Sequence, residues 1–175
     1  MTHRYQMNEA MDVAKQASAD IEKYLKSFKE TIEVLNVEED TYYQEKDIDI
    51  IWKFRDRYGN EREVSIEIKG DRWEKTGNYF FETISNKAKG TLGCFLYTEA
   101  MYVYYYFVNI KELHIIPVEK TRKWFIKNMK RFMERETSTP VGNGKYYITV
   151  GRLVPKEVVR KEVPEIRVKS LNGIV

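Results

Sequence analysis

The stretch Asp47-Ile48-Asp49-Ile50-Ile51-Trp52-Lys53-Phe54, followed by Arg55-Asp56-Arg57-Tyr58-Gly59-Asn60 and then by Glu63-Val64-Ser65-Ile66-Glu67-Ile68-Lys69, decides how this chain folds. The outer segments are rich in β-branched and apolar residues and the middle one is turn chemistry, so together they predict an antiparallel hairpin. Alternate side chains of a strand share a face. Glu67 and Lys69 therefore point one way, and Val64, Ile66 and Ile68 the other. On the first strand Asp47 and Asp49 share a face, with Ile48, Ile50, Trp52 and Phe54 on the opposite, core-like one. With the turn centred near Tyr58, Asp49 falls opposite Glu67 and Asp47 opposite Lys69. Directly paired side chains have Cβ atoms about 4.5–5.5 Å apart, close enough for two carboxylates to hold one ion.

Working outward, Ala10, Ala14, Ala17, Ile21, Leu25 and Phe28 recur at three- and four-residue steps, which predicts an amphipathic helix over residues 7–28. Thr31 to Val37 alternates as a strand. Beyond Gly70 a polar linker runs to Asn78, and Phe80 to Lys89 is expected to be a short helix or an irregular segment with a basic end. Met101 to Asn109 and Leu113 to Val118 are apolar and β-rich. The tyrosine run Tyr102 to Phe107 fits strand propensity better than base stacking. Phe125, Met129 and Phe132 lie at helical spacing within Lys120 to Glu134. The segment from Thr137 to Gly144 reads as a loop, and Tyr146 to Val150 as a further strand. Strands interleaved with helices predict an α/β (α+β) domain, a mixed central sheet flanked by helices, with residues 1–175 as a single unit.

Composition narrows the chemistry. With 33% charged residues and a mean hydropathy of −0.60, the chain has neither a membrane-span nor a signal-peptide pattern, and a cytoplasmic, intracellular protein is expected. The lone Cys94 and two scattered histidines cannot build an ordinary zinc site, so any catalytic metal is expected to sit on carboxylates. No P-loop, dinucleotide, zincin or nucleophile-elbow string occurs. The net charge of +3 does not oppose approach to phosphate.

Two carboxylates held this close repel one another unless a hard cation such as Mg²⁺ lies between them. Lys69, the sole lysine with an acid two residues before it, stands beside that ion, where it can orient or deprotonate a water or offset charge on a phosphorane-like transition state. An acid, a hairpin and then Glu67-x-Lys69, after a helix and before mixed elements, resembles the PD-(D/E)XK nuclease superfamily over about Asp20 to Lys89. The proline that often precedes the acid is absent: Ile48 precedes Asp49 and Lys46 precedes Asp47. The first acid is therefore Asp49 or Asp47, and Asp49 is preferred because the apolar strand continues from it.

The resemblance implies a restriction-endonuclease-like fold and a Mg²⁺- or Mn²⁺-dependent DNA nuclease, with Asp49, Glu67 and Lys69 as catalytic residues. It also implies an acid from the first helix as a further metal ligand, Asp20 before its rivals Glu9 and Glu22. Glu82, after an apolar triplet, is a further candidate for the cleft. Arg72, Lys75, Lys87 and Lys89 lie downstream of Lys69, where they would bind successive phosphates. The basic stretch of residues 120–131 reads instead as a solvated helix face. A chain of this length leaves no room for a sequence-reading domain, so structure-specific cleavage, as by junction resolvases or phage and mobile-element nucleases, is expected, with a homodimer by analogy. The alternative is a non-catalytic nucleic-acid-binding protein with a nuclease-like fold.

Overall fold

The structure, a computed structural model, describes residues 7–142 and 145–175. Its elements are α1 (Met7–Lys26), β1 (Thr31–Asn36), α2 (Thr41–Gln44), β2 (Ile50–Arg55), β3 (Glu61–Asp71), β4 (Asn78–Asn86), β5 (Thr91–Leu92), α3 (Cys94–Tyr97), β6 (Tyr102–Phe107), β7 (Glu112–Pro117), α4 (Val118–Asn128), β8 (Met133–Gly142), β9 (Lys145–Pro155), α5 (Lys156–Glu162) and β10 (Arg167–Ser170). Among the described residues these form a six-stranded sheet in the order β1-β2-β3-β6-β7-β10 and a four-stranded sheet in the order β5-β4-β9-β8. In the larger sheet β3 and β6 run parallel and the other neighbours antiparallel. The crossover between β3 and β6 carries β4, β5 and α3, so the second sheet begins inside a connection of the first. No helix among the described residues is long and apolar enough to cross a membrane.

The β2–β3 hairpin has the register its sequence predicts, with Ile50 opposite Ile66 and Arg55 opposite Glu61. Ile66, Ile50, Tyr104 and Tyr106 pack with Ala17, Ile21, Tyr24 and Leu25 of α1 in one core cluster. The fit is closest at Gly70, where an added Cβ would lie 2.9 Å from the Ala17 Cβ and 3.0 Å from the Val13 carbonyl oxygen. Glycine there lets the helix lie directly on the end of β3. By strand alternation Glu67 and Lys69 occupy the other face, level with Val103 and Tyr105 of β6.

That second face is covered by the four-stranded sheet, α4 and α5. A second cluster joins Tyr79 and Phe81 of β4 with Val103, Tyr105 and Phe107 of β6, Phe125 of α4, Val154 of β9 and Val159 of α5. Phe81 stacks on Phe95 with ring centroids 3.9 Å apart, and Phe125 meets Phe81 edge-on at 5.3 Å. Two polar joints reinforce the contact: the Tyr105 hydroxyl donates to Asp71 and accepts from the Phe80 amide at 3.1 Å, and the Tyr79 hydroxyl bonds His114 Nδ1 at 2.6 Å.

Three expectations are corrected. The segment expected as a short helix or irregular stretch, Phe80 to Lys89, is mostly the strand β4, because Tyr79, Phe81 and Thr83 alternate into the interior while β4 pairs with β9. The segment expected as a loop, Thr137 to Gly144, lies largely in β8, whose ladder to β9 runs from Met133 to Gly142; Asn143 and Gly144 lie outside the described residues. The helix expected to reach Glu134 ends at Asn128, and a 3-10 turn over Met129–Arg131 leads into β8. The Tyr102 to Phe107 run is the strand β6, with its last five residues buried.

Candidate metal centre

At the mouth of the hairpin the backbone departs from a plain strand. Asp47 has φ +55°, a left-handed conformation that aspartate tolerates better than most residues, so β2 proper begins at Ile50. This bend is held from outside: the Thr98 hydroxyl donates to the Asp47 carbonyl at 2.7 Å, and the Glu99 amide donates to the Lys46 carbonyl at 2.8 Å. Consequently Asp47 does not stand on the strand opposite Lys69. It turns its carboxylate toward Glu67 and Cys94, and ligand atoms of these three residues all lie within 4.8 Å of one another.

Glu67 is 3% exposed, and its Oε2, like Oδ2 of Asp47, has no hydrogen-bond donor among the described residues, while its carboxyl also meets that of Asp49. Buried carboxylate oxygens left this way are costly unless something cationic approaches them. Asp49 follows the bend, its amide donating to the Ile66 carbonyl at 2.9 Å, while its Oδ2 accepts the Ile68 amide at 2.7 Å. Asp49 therefore braces the hairpin at the level of Glu67 with one oxygen already engaged. Burial pushes its carboxyl above the ordinary aspartate value, against the backbone hydrogen bond. Burial likewise drives Glu67 well above the glutamate value, and the neighbouring Asp49 and Asp47 add to the effect while Lys69 opposes it.

Lys69 Nζ lies 3.2 Å from Glu67 Oε1 and 3.9 Å from Glu82 Oε1, with about a third of its side chain exposed. Burial disfavours its charge, but Cys94, Glu82, Glu67 and Asp47 outweigh burial and raise it well above the usual lysine value. The direction of this shift favours the ammonium form of Lys69, which suits holding negative charge on a substrate.

Cys94 opens α3. Its Sγ is 3.6 Å from Glu67 Oε1, and burial keeps the thiol well above the ordinary cysteine value. Two devices set its position. At Gly93 an added Cβ would come within 2.4 Å of the Glu82 backbone, so only glycine lets α3 dock this closely on β4. Arg122 of α4 donates from Nε to the Phe95 carbonyl at 3.0 Å and from Nη2 to the Thr98 carbonyl at 2.6 Å, which ties down the helix that carries the thiol.

Lys69 and Glu82 also line a cleft of about 990 Å³. Its walls include Gly70, Asp71, Arg72 and Trp73 at the end of β3, Phe80 of β4, Arg135 and Thr137 of β8, Tyr147 of β9, and Met11 and Ala14 of α1. The ammonium of Lys69 thus stands between the buried carboxylates and an open channel.

Comparison of the chain with protein-family models, with curated proteins and with solved structures finds no match. The residues themselves carry the functional argument. Asp47, Glu67 and Cys94 form a cluster that could hold an ion, with Asp49 and Lys69 beside them, and two buried carboxylate oxygens without a partner among the described residues suit a divalent cation.

Other sequence candidates lie elsewhere. Asp20 is on the α1 side of the sheet, where it accepts the Tyr106 hydroxyl at 2.9 Å. Tyr106 and Tyr105 are adjacent on β6 and point to opposite faces, so Asp20 is not brought to the carboxylates. Glu22 pairs with Lys26 at 2.7 Å and accepts from Asn36, and the side chain of Glu9 lies outside the described residues. Arg72 reaches the cleft. Lys75 is exposed on a 3-10 turn over Glu74–Thr76, Lys87 is paired with Glu136, and Lys89 is exposed in the turn after β4. On the basic helix Lys120 pairs with Glu165, Lys123 with Glu119, and Arg131, in the turn that follows, with Glu162, as expected of a solvated face. Cys94 went unread because a single cysteine has no spacing signature, yet its Sγ lies beside the carboxylates of Asp47 and Glu67.

Proposed function

We propose that this chain is a metal-dependent phosphodiesterase that cleaves DNA, built on a restriction-endonuclease-like arrangement of the β2–β3 hairpin against the parallel strand β6. One observation carries the reading: Glu67 Oε2 and Asp47 Oδ2 are buried and unpartnered next to a lysine that reaches an open cleft. Asp47 and Glu67 would hold a divalent ion, with Asp49 bracing the hairpin beside them. A bound Mg²⁺ or Mn²⁺ lowers the pKa of a coordinated water and polarises a phosphoryl oxygen.

The protein's own groups do the rest. Lys69 places its ammonium where it can bind a non-bridging phosphate oxygen and offset the charge that builds on the phosphorus-centred transition state. Glu82, 3.9 Å from that nitrogen, holds it toward the cleft. A channel of about 990 Å³ is large enough for a stretch of nucleic-acid strand, and Phe80 and Tyr147 line it with rings suited to base stacking. Arg135 and Arg72, the latter over the Trp73 ring at 5.2 Å, add positive charge to the lining that would favour phosphates. Ring faces and backbone contacts read strand geometry more than base identity, which favours a structure-specific enzyme.

The test is a panel of linear, single-stranded, flapped and four-way-junction DNAs incubated with Mg²⁺, Mn²⁺ or EDTA, comparing wild type with Lys69→Ala and Glu67→Gln. Metal-dependent cutting lost in both variants is expected. Metal-dependent cutting that both variants retain would assign the activity to another site. Binding without cutting would mark a nucleic-acid-binding protein that uses the same cleft.

A further inference from the structure

We propose that Cys94 is itself a ligand of the ion, and that this centre prefers Mn²⁺ or another divalent cation that accepts thiolate more readily than Mg²⁺ does; the inference rests on the metal-centre reading of Asp47 and Glu67. The sulfur lies within 4.8 Å of a ligand atom of each acid and 3.6 Å from Glu67 Oε1. An ion at ~2.0–2.3 Å from each donor therefore draws the three together only modestly. Independently of the cysteine, a glutamate that is 3% exposed keeps Oε2 without a hydrogen-bond partner among the described residues, an acceptor suited to a cation.

The sulfur is also placed with more structure than a packing residue needs. Gly93 admits α3 against the Glu82 backbone, Arg122 holds the Phe95 and Thr98 carbonyls, and Thr98 reaches back to the Asp47 carbonyl at 2.7 Å. The same short segment thus positions both the thiol and one of the two acids. On ligation the S–H bond breaks, its proton passes to solvent and a sulfur–metal bond forms, with no change of oxidation state. Thiolate favours softer ions, whereas Mg²⁺ favours oxygen donors and keeps several waters, so a mixed oxygen and sulfur set shifts selection away from Mg²⁺.

The experiment is a Co²⁺ titration of the metal-free full chain, followed by near-ultraviolet absorption and by calorimetry, with competition by Mn²⁺ and Mg²⁺. Wild type is expected to show a thiolate-to-cobalt charge-transfer band that Mn²⁺ displaces at lower concentration than Mg²⁺. Cys94→Ser is expected to bind Co²⁺ without the band and to lose about tenfold or more of the Mn²⁺ affinity, the scale set by losing even an outer-shell partner. Wild type alone decides the ligand question whatever the stability of the variant. Calorimetric Co²⁺ binding with no band overturns the role of Cys94 and leaves the carboxylate centre standing. No binding of Co²⁺, Mn²⁺ or Mg²⁺ overturns the metal centre and this inference together.

Discussion

The two sheets of this protein divide its work unequally. The six-stranded sheet presents an incompletely satisfied charged cluster on the face away from α1, whereas the four-stranded sheet contributes well-packed rings, with Tyr79 and Phe81 essentially inaccessible. Glu82 is one place where they meet, since it belongs to β4 and approaches Lys69 of β3. The comparison teaches that two of the buried polar atoms without a partner among the described residues, Asp47 Oδ2 and Glu67 Oε2, gather at one site, whereas Thr121 Oγ1 of α4 and Arg152 Nε of β9 stand singly elsewhere.

The most damaging change to the wall should be Phe81→Ala. Deleting a ring stacked at 3.9 Å on Phe95 is expected to cost ~3–5 kcal/mol in denaturant unfolding. Metal affinity should fall with it, because Phe95 follows Cys94 in α3. Unchanged stability would mean that the second sheet does not support the first.

Lys69→Ala touches the charged side alone. Single-turnover cleavage of the best substrate is expected to drop by about 10²–10³-fold, while the far-ultraviolet circular dichroism stays that of wild type. A comparable loss of fold would show that the lysine is structural.

Metal should stabilise the charged side specifically. At 100 times its dissociation constant, Mn²⁺ is expected to add about 2.7 kcal/mol to unfolding of wild type and nothing to Glu67→Gln. The metal-free variant should itself melt higher than wild type at neutral pH. A carboxyl whose folded pKa is raised contributes stability fully present below its unfolded value and lost as pH rises through the folded value, so wild type is handicapped above that window and glutamine is not.

Gly70→Ala asks how closely α1 must lie on β3. With Ala17 and Val13 atoms at 2.9–3.1 Å from the added methyl, a loss of ~1–3 kcal/mol is expected by thermal melting. Full stability would show that the helix can shift without disturbing the end of β3.

The smallest effect lies at the joint between the sheets. His114, 1% exposed, accepts the Tyr79 hydroxyl at Nδ1 when neutral, and its Nε2–H donates to Glu112 at 2.7 Å. Burial lowers its pKa below the ordinary histidine value, with Glu112 opposing. Its contribution is therefore present above the unfolded value, about 6.5, and lost as pH falls through the lower folded one. A melting temperature that declines across this window in wild type, and less in His114→Gln, is the expected result. An equal decline in both would place the pH dependence elsewhere.

What the residues determined by themselves is local. The two-residue period of a strand and a turn centred near Tyr58 set the register that pairs Ile50 with Ile66, and that register puts Glu67 and Lys69 on one face. The Ala17, Ile21 and Leu25 stripe determined where α1 would bury itself. The tertiary structure alone decided the rest. Pairing of β4 with β9 joins segments far apart in the chain, so Phe80 to Lys89 carried no local sign of its strand partner. The bend at Asp47 is made by hydrogen bonds from Thr98 and Glu99, the approach of Cys94 by its docking on β4, and the exclusion of Asp20 by the sheet face that α1 covers. Periodicity specifies which way a side chain points from its own backbone; which distant group it then meets depends on contacts that no short window of sequence contains.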